Sequence, residues 1–141
     1  MYPNADIPVV QLSIDETRPA SYHFAVGQKL AALRNDNVLV LGSGNLVHNL
    51  EAYAWGRHMP EAYEWATRFE DSVKALLLSE KTDLVDRYEN LGAEAALCVP
   101  TPEHFLPLLY VLGVCQPDDS ISFPIEGVDG GSISMLAVRI G

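Results

Sequence analysis

The sequence predicts an α/β fold, with a central mixed sheet, flanking helices and a C-terminal β-hairpin. Three observations carry that expectation. Residues 8–14 and 38–41 are short apolar runs on either side of a helical stretch, the order of a βαβ unit. Residues 61–79 repeat apolar side chains every three to four positions, the period of a helix with one buried face. Near the end, Asp129-Gly130-Gly131 separates two strand-like runs and supplies the chemistry of a hairpin turn.

The elements follow in order. Val9, Val10, Leu12 and Ile14, closed by Asp15, read as a buried strand. Residues 19–34 read as a helix with Phe24, Leu30, Ala31 and Leu33 partly on one face; Gly27 inside it costs about 1 kcal/mol of helix propensity. Asn35-Asp36-Asn37 makes a turn into Val38-Leu39-Val40-Leu41, uniformly apolar as parallel strands tend to be. Gly42-Ser43-Gly44-Asn45 then breaks the chain at the carboxyl end of that strand, where open α/β sheets place ligands. Pro60 opens the next helix, whose apolar positions are Tyr63, Ala66, Phe69, Val73, Leu76 and Leu77. Thr82 is a candidate cap for a shorter helix at 83–91, stopped by Gly92. Thr101 as N-cap, Pro102 at the first position and Glu103 in the first turn start a last helix, which carries Phe105, Leu108, Leu109 and Leu112 to Gly113. Pro107 falls about one turn in, where a missing amide is nearly free. Residues 120–126 and 132–140 are the hairpin strands. With no internal repeat, low-complexity tract or linker, residues 1–141 read as a single domain.

Composition narrows the function classes. Hydrophobic residues make up 48% and charged residues 20%, which is globular rather than disordered. Nineteen acids against 9 bases give a net charge of −10, and the bases are interspersed with acids, so a phosphate backbone would be repelled and nucleic acid is not an expected partner. Cys98 and Cys115 form no CxxC or zinc-finger spacing and read as buried reduced thiols. The polar, turn-like start shows no signal peptide, and no apolar run approaches the ~20 residues of a membrane span. A protein of the reducing cytoplasm, without membrane association, is expected.

Two histidines carry the chemical interest. His48 follows the glycine-rich break, and His104 lies between Pro102 and Pro107 at a helix start. Imidazole suits both metal ligation and proton transfer near neutral pH. Three familiar readings of the glycine segment fail. A dinucleotide fingerprint needs Gly or Ala where Val47 stands, a P-loop needs a Gly-Lys-Ser/Thr ending, and a nucleophile elbow needs Gly where Leu41 stands. What remains is either a plain tight turn or glycines whose conformational freedom lets backbone N–H groups face a ligand. Asn49 is placed to orient His48. His23 and His58 lack supporting context and read as surface or packing residues. The acidic residues between 61 and 86 read as a solvated helix face, and Tyr53, Trp55, Tyr63 and Trp65 as packing aromatics. A metal centre needs at least three protein ligands, so two histidines alone make an incomplete site.

The segments Gly42-Ser43-Gly44-Asn45-Leu46-Val47-His48-Asn49-Leu50, Thr101-Pro102-Glu103-His104-Phe105-Leu106-Pro107 and Gly131-Ser132-Ile133-Ser134-Met135-Leu136-Ala137-Val138-Arg139 resemble, in that order, the 4,5-DOPA dioxygenase extradiol family of class III extradiol ring-cleavage dioxygenases. The likeness covers nearly the whole chain. It implies part of the class III extradiol fold and an enzyme that opens a catechol ring with O₂ and a non-haem Fe(II), with zinc able to occupy the same site. It assigns His48 and His104 to that site, as metal ligands or as proton relays, with Gly44, Asn45 and Asn49 as substrate-binding candidates. Family members are about twice as long, and their first metal-binding histidines lie in an N-terminal half with no counterpart here. The chain therefore reads as a C-terminal half. An edge and an apolar face left open by truncation imply a homo-oligomer or association with a missing N-terminal half.

Three functional readings follow. The first is an extradiol dioxygenase acting on a catechol of DOPA type. The second is a non-catalytic remnant, or a subunit of a split enzyme, that folds and oligomerises. The third is a zinc hydrolase using His48 and His104 with Glu103 or Asp129; it is weakened because Glu103, adjoining His104 on a helix, is expected to point elsewhere.

Overall fold

The structure is a computed structural model that describes residues 3, 4, 6–56, 62–79 and 81–141. His58 and the expected helix start at Pro60 lie outside the described residues. The fold is a mixture of helices and strands with two small antiparallel sheets. Helix α1 spans Ala20–Leu30 and runs into a 3₁₀ turn at Ala31–Asp36. Helix α2 spans Glu64–Leu78, followed by a kinked 3₁₀ stretch at Thr82–Asn90 and the short α3 at Ala95–Cys98. A 3₁₀ turn at Pro102–His104 leads into α4 at Leu106–Gly113. The strands are β1 (Ile121–Ile125), β2 (Val128–Asp129), β3 (Ile133–Ser134) and β4 (Ala137–Ile140).

The α1–α4 pair is the tightest helix crossing, and it explains Gly27. A Cβ there would lie 2.5 Å from the carbonyl oxygen of Tyr110 and 2.9 Å from the Cα of Gly113. A Cβ on Gly113 would lie 2.4 Å from the carbonyl oxygen of Phe24. The propensity that glycine loses in α1 is offset by an approach no side chain would allow. Ala20, His23 and Gly27 form the buried stripe of α1. His23 is a packing residue: it is fully buried and its Nδ1 pairs with the Tyr110 hydroxyl at 2.9 Å.

Helix α4 is apolar almost all round and occupies the middle of the core. Just before it, Phe105 packs its ring against Tyr88 (4.2 Å between centroids) and Phe69 (6.4 Å). Helix α2 presents Ala66, Phe69, Val73 and Leu77 to the core, as its periodicity predicts. The acidic-face expectation fails at one position: Glu70 shares that buried stripe.

The C-terminal hairpin forms. Ile121 pairs with Ile140 and Ser122 with Arg139, then the register breaks before Ile125 pairs with Ala137. Pro124, which has no N–H to donate, lies within the break. The inner part pairs Val128 with Ser134 and Asp129 with Ile133 around Gly130 and Gly131, both at positive φ. The expected parallel pairing does not form. Residues 8–14 and 38–41 are in no strand, and among the described residues no backbone ladder joins them. Val9 is 86% exposed, Val10 93% and Leu39 70%. Their β-branched and apolar sequence favours an extended chain, but a strand also needs a neighbour, and the described residues provide none. Among the described residues no helix is long and apolar enough to cross a membrane.

Gly27→Ala is expected to destabilise the chain by about 1–3 kcal/mol through overpacking of the α1–α4 crossing. A lowered urea midpoint with an unchanged m-value would bear this out.

Candidate functional site

The glycine segment meets the start of α4. The amide of Asn45 donates to the carbonyl oxygen of His104 at 2.9 Å. A Cβ on Gly44 would stand 2.1 Å from that same oxygen, and one on Gly42 would stand 2.7 Å from the carbonyl oxygen of Pro107. Neither glycine adopts positive φ. The tight-turn and anion-cradle readings of this segment are therefore replaced by another requirement: the backbone of residues 42–45 lies against the backbone of residues 104–107, where no side chain fits.

That contact brings the two histidines together. The amide of His48 donates to the carbonyl oxygen of Cys98 at 2.9 Å, and His48 forms an antiparallel bridge with Ile133. His104 closes the Pro102–His104 turn. The two imidazoles stack, with centroids 3.6 Å apart and planes 12° from parallel. Burial, and after it the charge on His104, hold His48 below the ordinary imidazole value of 6.5. The nearby Glu103 carboxylate opposes that shift.

Glu103 corrects an expectation. Its Oε1 lies 4.0 Å from Nε2 of His104. Adjacent residues diverge at Cβ, but a carboxylate on three rotatable bonds reaches across. The Thr101 hydroxyl donates to it at 2.7 Å, and that bond, with smaller contributions from both histidines, holds the carboxyl below its usual range.

The other candidates divide. Gly44, Asn45 and His104 line an open groove of about 630 Å³, with Leu41, Leu108 and Val138 among its apolar walls. The Asn45 amide group donates to the carbonyl oxygen of Ser134 at 2.8 Å. Asn49 does not orient the His48 ring: it is buried, its Nδ2 donates to Leu97 and its Oδ1 accepts from Ala52, so it holds the loop instead. Asp129 accepts from the Tyr53 hydroxyl at 2.6 Å. Trp55 is 68% exposed, which corrects its reading as a packing aromatic.

The described residues do not by themselves fit a metal centre. Imidazole lone pairs lie in the ring plane, so two parallel, stacked rings do not converge on one ion. Among the described residues no group of three or more His, Cys, Asp or Glu side chains is arranged to hold a metal. The hydrolase reading loses its third ligand by the same observation. Chemically, the site offers a neutral imidazole, a second imidazole on its face and a carboxylate beside them, which is equipment for moving a proton. Sequence reasoning missed Glu70, whose carboxylate accepts from the Ser134 hydroxyl beneath the His48 loop. An acid on the apolar stripe of α2 was the available signal.

Two outcomes are expected here. Gly44→Ala should force residues 42–45 away from His104, costing about 1–3 kcal/mol or more and abolishing the nuclear Overhauser contact between the two imidazoles. His48 should also leave a signature in stability. Its folded pKa lies below 6.5, so the unfolded chain binds more protons between the two values. The stability due to neutral His48 is complete above 6.5 and falls as the pH drops toward the folded value. Urea midpoints measured between about pH 7.5 and about pH 5 should fall less steeply in His48→Gln.

Comparison with known proteins matches the chain to a family. Residues 1–129 match the family described as the catalytic LigB subunit of aromatic ring-opening dioxygenase. The chain is 50% identical over 146 aligned positions to a 4,5-DOPA dioxygenase extradiol of Escherichia coli K12, an alignment covering 100% of this chain and 52% of that protein. It is 32% identical over 138 positions to a 4,5-DOPA dioxygenase extradiol of Beta vulgaris, covering 95% of this chain and 49% of that one. A crystal structure of an uncharacterised Escherichia coli K12 protein superimposes with a TM-score of 0.90 at 48% identity, covering 100% of this chain and 58% of the other. The chain spans about half the length of the curated relatives it matches. The match over residues 1–129 and the shared fold place it in the family of the catalytic LigB subunit of aromatic ring-opening dioxygenases.

Proposed function

We propose that this chain is the half of an extradiol ring-cleavage dioxygenase that handles the proton of a catechol substrate. The stacked His48–His104 pair is the observation that carries the reading. The reaction it would serve opens a catechol ring beside its two hydroxyls with O₂. His48, held neutral by burial, accepts the proton of one hydroxyl as the substrate binds, and gives it back to the ring-opened product. His104 keeps the His48 ring in place by stacking, and Glu103 offsets the positive charge that arrives with the proton. The groove beside His104 has apolar walls against which an aromatic ring can lie.

The family reading implies Fe(II), with zinc as an alternative occupant. The described residues do not fit a complete metal site, so the ligands would come in part from elsewhere. We therefore read the working unit as a homo-oligomer, or as this chain joined to an N-terminal half. The exposed apolar segments at 8–14 and 38–41 support that reading, because exposed chain of strand-like composition is open to pairing with another chain. Free Cys98 and Cys115 support a reducing, cytoplasmic setting.

The test is oxygen uptake by the 141-residue chain supplied with Fe(II), with DOPA and plain catechols as substrates. Uptake that falls by about 10²-fold or more in His48→Ala is expected, the loss of a general base. A folded chain with no uptake, alone or mixed with an N-terminal half, would favour the non-catalytic remnant instead.

A further inference from the structure

We propose that Glu70 is a positioning residue for the histidine pair and that it acts through Ser134. The side chain of Glu70 lies on the buried stripe of α2, where every other member is apolar. An isolated carboxyl in such a place is costly, and an apolar side chain would complete the stripe. What the acid supplies is an acceptor. The Ser134 hydroxyl receives the amide of Leu136 at 3.2 Å, and its own proton goes to Oε2 of Glu70 at 2.5 Å.

Ser134 is in turn the clamp on the loop that carries His48. Its amide donates to the carbonyl oxygen of Val47 at 2.9 Å. Its carbonyl oxygen accepts from Nδ2 of Asn45 at 2.8 Å. Its neighbour Ile133 bridges His48 directly. Residues 45 and 47 are thus tied to one serine, while the Asn45 amide is tied to His104. By accepting from the Ser134 hydroxyl, Glu70 anchors β3 to α2, and through the backbone of Ser134 that anchor reaches the loop that carries His48. Burial raises the Glu70 carboxyl above its usual range, against the Ser134 hydrogen bond and the charge of Lys74; Asp71 and Glu126 add to the rise. Its catalytic meaning rests on the ring-opening reading, but the positioning does not.

The experiment is nuclear magnetic resonance of the 141-residue chain, without metal or substrate, for Glu70→Gln, Glu70→Leu and Ser134→Ala. The readouts are the inter-ring Overhauser contact of His48 with His104 and the upfield ring-current shift of their carbon-bound ring protons. Glu70→Gln keeps a side-chain oxygen that accepts from Ser134, so it should retain both signals. Glu70→Leu and Ser134→Ala should lose both while far-ultraviolet dichroism stays native. A folded Glu70→Leu or Ser134→Ala variant with an intact stack, whatever its change in melting temperature, would overturn the proposal. If Glu70→Leu does not fold, Ser134→Ala, which deletes a single oxygen atom, decides the matter. Absent oxygen uptake in the earlier assay would count against ring cleavage and leave this result untouched.

Discussion

The approach of residues 42–45 to the backbone of residues 104–107 is the constraint on which the site depends. One hydrogen bond, Asn45 to His104, marks it, and two glycines without room for a Cβ permit it. The segment joins the chain to α4, the most buried helix, so the loop before His48 is referenced to the core rather than to solvent. The stack of His48 on His104 is a consequence of this backbone geometry. Two rings 3.6 Å apart tolerate at most one positive charge comfortably, so the approach fixes an electrostatic property along with a position.

Two acids flank the pair at different distances and do different work. Glu103 is half-buried, hydrogen-bonded by Thr101 and close enough to His104 to stabilise a charge that arrives there. Glu70 is farther off and buried, and its influence passes through a hydroxyl to the backbone. The first acts by Coulomb interaction in a partly solvated setting, where the effect is modest and screened by salt. The second acts by geometry, which salt does not screen. A net charge of −10 therefore says little about the site: what distinguishes Glu70 and Glu103 is their burial and their hydrogen bonds.

Much of the fold was legible in the sequence where the determining physics is local. The period of α2, the Pro102 start before α4 and the Gly130-Gly131 turn each express a preference within a few residues. His48 and His104, which the fold stacks, stand beside elements that stiffen the backbone, and that much is legible in the sequence. What failed was non-local. Residues 8–14 have strand composition, but pairing needs a neighbour that composition does not specify. Gly42 and Gly44 read as turn glycines because a close backbone approach leaves no trace in the sequence on either side. Glu103 diverges from His104 at Cβ, and the reach of its carboxylate back to the ring is a property of side-chain length that helix geometry does not express. Asn49 stands next to His48 in sequence, yet its amide is spent on Leu97 and Ala52.

The groove and the unpaired segment share residues, and this links assembly to chemistry. Leu39 and Leu41 of the exposed 38–41 segment line the same groove as Gly44, Asn45 and His104. Any strand that pairs with this segment would therefore also form a wall of the space beside His104. Covering the groove would remove water from the space beside His104 and lower the local dielectric there. Under the ring-opening reading, assembly at this segment and enclosure of the space beside His104 would then be one event.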